Sequence, residues 1–296
     1  MSSPRFMHTA TLLSLGQVLV IGGIGEENKN DMSSCEVYDP SSDMWAPVPS
    51  MSPSRAAHTA TLLSSGKVLV TGGASEENKS GMSSCELYDP LSDTWTSAGS
   101  MLSRRHMHTA TLLSSGKVLV TGNIKEIDNA VLVSCEVYDP SSDMWAPVGS
   151  MSSGRFMHTA TLLSSGKVLV TGGASEENEN GMSSCELYNP ELQTWTLTGS
   201  MLWRRHMHTA TLLSSGKVLV IGGKNTENPH GLSSCEVYDP SSDMWAPAPS
   251  MSSSRAAHTA TLLSSGKVLV TGGFNKENKN GMSSCELYVP PSNMNF

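Results

Sequence analysis

The chain has 296 residues, 38% of them hydrophobic and 16% charged, and 19 Lys and Arg against 27 Asp and Glu give a formal net charge of -8. An acidic chain without a clustered basic face is a poor match for a phosphate backbone, so no nucleic acid is expected as partner. No apolar run approaches the roughly 18 residues of a membrane span, and the opening residues carry no basic or long apolar segment, so a cytoplasmic protein with no membrane partner is expected.

The segment His-Thr-Ala-Thr-Leu-Leu-Ser starts at His8, His58, His108, His158, His208 and His258, a period of fifty residues without insertion. Periods of this length point to propellers or solenoids. In the first copy, residues 8–13 are predicted as strand A, and Ser14-Leu15-Gly16 as a hairpin in which glycine takes positive φ at little cost. Residues 17–21 form strand B, ended by Gly22-Gly23. After a polar loop, Cys35 and Val37 alternate with polar neighbours in strand C, residues 34–38. Asp39-Pro40-Ser41-Ser42-Asp43 reads as a turn, and residues 44–47 around Trp45 as strand D. Nothing reads as a helix.

Four short strands cannot bury their own faces and must stack on neighbouring sheets, and radial stacking of six copies gives an all-β propeller. One domain, 1–296, is expected, with blades of about 50 residues at 1–50, 51–100, 101–150, 151–200, 201–250 and 251–296. Arg5, the Gly22-Gly23 pair, Tyr38-Asp39-Pro40 and Trp45 stand in the order and approximate spacing of the kelch family, which the whole chain resembles. The resemblance implies a six-bladed kelch-type β-propeller with four antiparallel strands per blade. Departures are Asn123 in place of the second glycine, Asn189 and Val289 in place of the turn aspartate, and Asn295 in place of the tryptophan. Phe296 falls at the place of Ala46 and Met1 at that of Met51, so adjoining termini and a relatively weak junction between the last and first blades are expected. Odd copies share Ser-Ser-Asp-Met-Trp-Ala-Pro and even copies Ser-Cys-Glu-Leu-Tyr, hinting at a two-blade unit.

Residues repeated in every copy read as scaffold. Equivalent histidines around an axis stand too far apart for bonds of roughly 2 Å to one ion, so no metal is expected, and each histidine should bond neighbouring backbone. Arg5 and its copies are expected to clamp adjacent blades together, with Glu36 and its copies or backbone carbonyls as partners. Trp45, Tyr38 and their copies should fill gaps between sheets. The cysteines at 35, 85, 135, 185, 235 and 285 occur one per copy, too far apart to bridge, and read as free, inert thiols. Asn78-Lys79-Ser80 is a formal glycosylation sequon. Glu176-Glu177-Asn178-Glu179-Asn180-Gly181 faintly resembles a calcium loop but has Leu187 where the bidentate Glu belongs.

Because strands alternate in direction, the A–B and C–D turns emerge on one side of a blade and the B–C and D–A loops on the other. The A–B turns are nearly invariant, whereas the B–C loops differ between copies, and loops on a rigid scaffold carry function. Residues after the recurring arginine, Phe6, Met7, His106, Met107, Phe156, Met157, His206 and Met207, are expected to make an apolar, sulfur-rich and asymmetric channel mouth. In kelch propellers that bind peptides these places, and the one after the glycine pair, resemble contact sites. Here the latter carries Ile24, Ile124, Lys224 and Phe274. Trp203, the one tryptophan outside the repeated place, shares its loop with Leu202, Arg204 and His206, and Trp and Arg are enriched at interface hot spots.

A monomeric scaffold binding a protein or peptide on the B–C and D–A face is the leading reading. A near-identical structural or designed repeat protein without a specific ligand is the alternative. The run from His8 to Gly23 also resembles repeats of galactose oxidase-like propellers, which need copper, tyrosines, histidines and a Tyr–Cys cross-link. Every tyrosine and cysteine here is a repeated residue, so no catalytic residue and no cofactor is expected.

Overall fold

The computed structural model describes residues 1, 3–25, 32–123, 132–175, 178–279 and 281–290. They form two compact units, Met1–Gly149 with the first three repeats and Ser150–Phe296 with the last three. All regular structure among the described residues is β. Five repeats each form one four-stranded antiparallel sheet in the order A-B-C-D, and the sixth forms a three-stranded sheet. Its expected strand D lies outside the described residues.

In blade one the strands are Thr9–Leu12, Val18–Ile21, Cys35–Asp39 and Met44–Val48. His8 and Leu13 flank strand A rather than belonging to it, and strands C and D each run one residue beyond the expected end. The sequence reading missed a two-residue ribbon, Arg5–Phe6 against Ile24–Gly25. It joins the D–A connection to the B–C loop.

Within each unit, burial is achieved between sheets. In the first unit Leu19, Ile21 and Val37 of blade one pack on Val68, Val70 and Tyr88 of blade two, and blades two and three repeat the arrangement with Tyr138 and Trp145. The second unit does the same between blades four and five and between five and six. Each fully buried Val or Leu of a strand B contributes roughly 1.5–3 kcal/mol relative to exposure. The tryptophans also bond the preceding connection: Trp95 Nε1 donates to Pro49 O at 2.8 Å, Trp145 to Gly99 O at 2.7 Å and Trp245 to Gly199 O at 2.8 Å. Trp45, expected to be a gap filler like the others, is 38% exposed.

The arginine clamp has the expected partners but does not span two blades. Arg55 does not reach another blade with its side chain; it holds the incoming D–A connection onto its own sheet. Its guanidinium donates to Gly72 O at 2.7 Å, Ser84 O at 2.9 Å and Glu86 Oε1 at 2.9 Å. The other Glu86 oxygen accepts Ser52 N–H at 3.0 Å. The same pair recurs as Arg5–Glu36, Arg105–Glu136, Arg155–Glu186, Arg205–Glu236 and Arg255–Glu286. What crosses between blades is the arginine's backbone: Gly23 N–H donates to Arg55 O and Gly73 N–H to Arg105 O, both at 2.8 Å. A Cβ on Gly22 would lie 2.5 Å from Arg55 O, and Gly22 and Gly23 take φ of 57° and 98°, so sterics and torsion both call for the glycine pair.

The histidine rings also bond hydroxyls of the preceding blade, which was not expected: His58 Nε2 lies 3.0 Å from Thr9 Oγ1, His108 Nε2 2.9 Å from Thr71 Oγ1, and His208 Nε2 2.9 Å from Thr171 Oγ1. Burial, with the neighbouring arginine's charge second, lowers His58 and His158 to about 3 and His258 to about 4.

Glu236→Gln leaves Arg205 buried without its counter-charge, and urea denaturation should read a loss of about 3–5 kcal/mol; a midpoint equal to the parent's would contradict the clamp. The histidines give a second prediction. They are neutral when folded and take up protons in the unfolded chain below about pH 6.5, so their contribution is complete above that pH and declines as the pH falls towards their folded values. Asp139, held at about 2 chiefly by the Ser141 hydroxyl, stays ionised meanwhile. The urea midpoint should therefore fall between about pH 7 and pH 5, and a flat profile would contradict it.

Candidate functional site

Along the loop side of each unit, residues that follow the arginine are carried on one repeated backbone. Phe6 pairs with Ile24, and isolated bridges join Phe156 to Ala174, His206 to Lys224 and Ala256 to Phe274. Thus the two families of variable positions singled out in the sequence meet across a short ribbon. The next residue takes positive φ in every copy, from 52° to 54° at Met7, Ala57, Met107, Met157, Met207 and Ala257. In that conformation Ala57 N–H donates to Met7 O and Met107 N–H to Ala57 O at 3.0 Å, while Met207 N–H reaches Met157 O at 3.0 Å and Ala257 N–H reaches Met207 O at 2.9 Å. A left-handed conformation costs a non-glycine residue about 1 kcal/mol or more, and these interblade bonds offset it.

Copy three solves the same problem differently. Asn123 stands where the second glycine would and lacks its positive φ. Its side chain replaces the bridge, accepting His106 N–H at 2.8 Å and donating to Arg104 O at 2.7 Å. In copy five Asn225 Nδ2 likewise donates to Arg204 O at 3.0 Å. Asn123 was noted in the sequence only as a departure and Asn225 not at all, although both occur in the two copies with a doubled arginine, which was the available signal for their role. Ile124 lies outside the described residues.

The B–C loops of copies two and five are built turns as well as polar ones. Asn228 N–H donates to Asn225 Oδ1 at 2.7 Å, Gly231 N–H to Asn228 O at 3.2 Å, and Asn78 N–H to Ser75 Oγ at 3.2 Å. The sequon residue Asn78 is thus a turn residue. Of the calcium-like run, Glu176 and Glu177 lie outside the described residues.

Exposure separates the candidates. Phe6 and Met7 are 47% and 42% exposed and Trp203 is 51% exposed. His106 and His206 are buried beneath the loops, and burial, with Lys224 second, lowers His206 to about 4. Met107, Phe156, Met157, Met207, Lys224 and Phe274 are half-buried, and Arg204 is exposed. Trp203 stands on fixed backbone: Leu202 N–H and Trp203 N–H donate to the two Glu236 carboxylate oxygens at 2.5 and 3.1 Å. Nearby in the same unit, Lys224 Nζ lies 5.5 Å from the centroid of the Phe274 ring, a cation–π contact. In the first unit, Met7, Ile24, Ala56, Ala57, Ala74 and Met107 line an open cleft of about 220 Å³, with Glu76 and Lys79 also on its wall.

On the turn side the tyrosines are engaged structurally. Tyr38, Tyr88, Tyr138 and Tyr238 donate to Asp43, Asp93, Asp143 and Asp243 at 2.7–2.8 Å. Among the described residues no three His, Cys, Asp or Glu gather as a metal-binding group, and no helix is long and apolar enough to cross a membrane.

The Kelch motif model matches residues 7–52, 55–102 and 205–252. The fold is similar to that of the solved structure titled "Structure of YjhT", at 14% identity and a TM-score of 0.76, covering 96% of this chain and 94% of that one. No curated protein matches the sequence. Three of the repeats thus carry the Kelch motif, and the fold is that of a six-bladed β-propeller.

The cysteines are free, buried at Cys35, Cys85, Cys135, Cys185 and Cys235 and exposed at Cys285. Burial pushes Cys85 and Cys185 up to about 12 and Cys35 and Cys235 up to about 11. A disulfide reagent should label Cys285 quickly in the native protein and the others only on unfolding; fast labelling of a second cysteine would contradict the buried placements.

Proposed function

We propose that the chain is a binding scaffold whose B–C and D–A loops receive a protein or peptide, with Trp203 and Arg204 as the principal contacts on the second unit. Phe156, Met157, Met207, Lys224 and Phe274 supply the surrounding apolar and aromatic surface, and Phe6, Met7 and Met107 do so on the first unit.

The observation that carries this reading is the 51% exposure of Trp203 on backbone fixed by Glu236. A large aromatic held on an ordered support contributes area at little entropic cost, as hot-spot residues do. Random surface drift accounts for single exposed apolar side chains, but not for a tryptophan beside Leu202, itself 54% exposed, and Arg204 in one short loop.

Selection of a displayed peptide library against the folded protein tests it. Enriched peptides should bind the parent and lose about tenfold or more in affinity to Trp203→Ala, while Leu91→Ala on the opposite side leaves binding unchanged. Peptides indifferent to Trp203→Ala, or no enrichment at all, would contradict the reading.

A further inference from the structure

Strand D is the outer strand of each four-stranded blade, and the odd and even copies treat this edge differently. In blades one, three and five it is Met44–Val48, Met144–Val148 and Met244–Ala248. Pro47, Pro147 and Pro247 there stand opposite Glu36, Glu136 and Glu236 of strand C. Proline has no N–H, so the C–D ladder does not use the donor at this place, which faces the outer edge. Proline on an edge strand blocks pairing with another chain.

Blade four lacks that protection. Its strand D, Thr194–Thr198, reads Thr-Trp-Thr-Leu-Thr, with neither proline nor charge. Leu197 takes the proline's place opposite Glu186 in the same register, keeps its outward N–H, and is 71% exposed. Residues with outward-facing N–H and C=O alternate along an antiparallel edge, so Trp195 shares the outward orientation with Leu197.

We propose that this edge is a self-association surface, on which a second copy of the chain pairs antiparallel about a two-fold axis at Thr196, in place of the monomer expected from the sequence. The occupant follows from the strand's own self-complementarity. Centring the pairing on Thr196 sets Trp195 opposite Leu197 of the partner subunit, outward donors facing outward acceptors, and Thr194 opposite Thr198 of the partner subunit. Each copy then gives what it receives, as a two-fold interface requires, and the aromatic–aliphatic cross-strand pair adds to the backbone bonds. No ionised group lies within the paired segment, so this register sets no like charges opposite one another. Blade two's Thr94–Ala98 also lacks proline but carries Ser97 where blade four has Leu197, and it serves as the internal control.

Sedimentation equilibrium over a range of concentrations tests this with the whole chain. The parent should shift reversibly from 31.4 kDa towards twice that mass, and Leu197→Pro should remain monomeric. Because blades one, three and five carry proline at this place, Leu197→Pro is compatible with the fold, which circular dichroism checks. Leu197→Lys, which leaves the backbone donor intact, should weaken association several-fold, and Ser97→Pro should leave it unchanged. A parent that stays monomeric at its highest soluble concentration would overturn the proposal, as would a folded Leu197→Pro that dimerises like the parent, or a loss of dimer in Ser97→Pro.

Discussion

Each blade is organised by a buried ion pair between the arginine that ends the incoming connection and the glutamate of strand C. In blade five the pair Arg205–Glu236 is 2.6 Å long with both side chains fully buried. Burying two charges is costly, and the pair is tolerable only because their remaining valences are met. The guanidinium also bonds Gly222 O and Ser234 O, and the carboxylate also accepts Leu202 N–H and Trp203 N–H. One charge pair thereby fixes the ends of strands B and C and the backbone of the loop that precedes strand A. Gly223 N–H then reaches Arg255 O of the next blade at 2.8 Å, so the order imposed within a blade is passed to its neighbour.

This arrangement explains how near-identical repeats carry dissimilar side chains on one side without losing register. The backbone of the D–A loop is determined by residues present in every copy, leaving places such as Phe6, Ala56 and His206 free to vary. Copy three marks the limit of that freedom, because replacing a left-handed glycine by Asn123 required the new side chain itself to supply the lost bonds. The outer edge follows a different rule. There the alternation of proline with Ser97 and Leu197 distinguishes odd blades from even ones, and an accumulated difference of one residue alters which backbone groups face solvent.

Much of the fold was legible because repetition multiplies weak local signals. Strands B and C, the Gly16 hairpin and the free cysteines all follow from a period of fifty and from alternation read six times over. The errors concern where partners sit rather than what they are. Arg55 was expected to bridge blades through Glu86 or backbone carbonyls, and it has those partners, but on its own sheet, because strand C returns beside the incoming connection. The bond from His58 to the Thr9 hydroxyl of the preceding blade was not foreseen. The depth of His106 and His206 was also hidden, since Phe6, at the same place of the repeat, is exposed and the spacing does not tell them apart. Trp203 stands out in the sequence for the opposite reason: it breaks the repeat.

A clamp of this kind holds the loops as firmly as the sheets themselves. Native-state hydrogen exchange at the amides of Ser52, Leu102, Leu202 and Ser252, all donating to a clamp glutamate, measures it directly. Protection comparable to that of strand B amides such as Leu69 and Leu219 is the predicted result. Exchange at the rate of unprotected loop amides would contradict it.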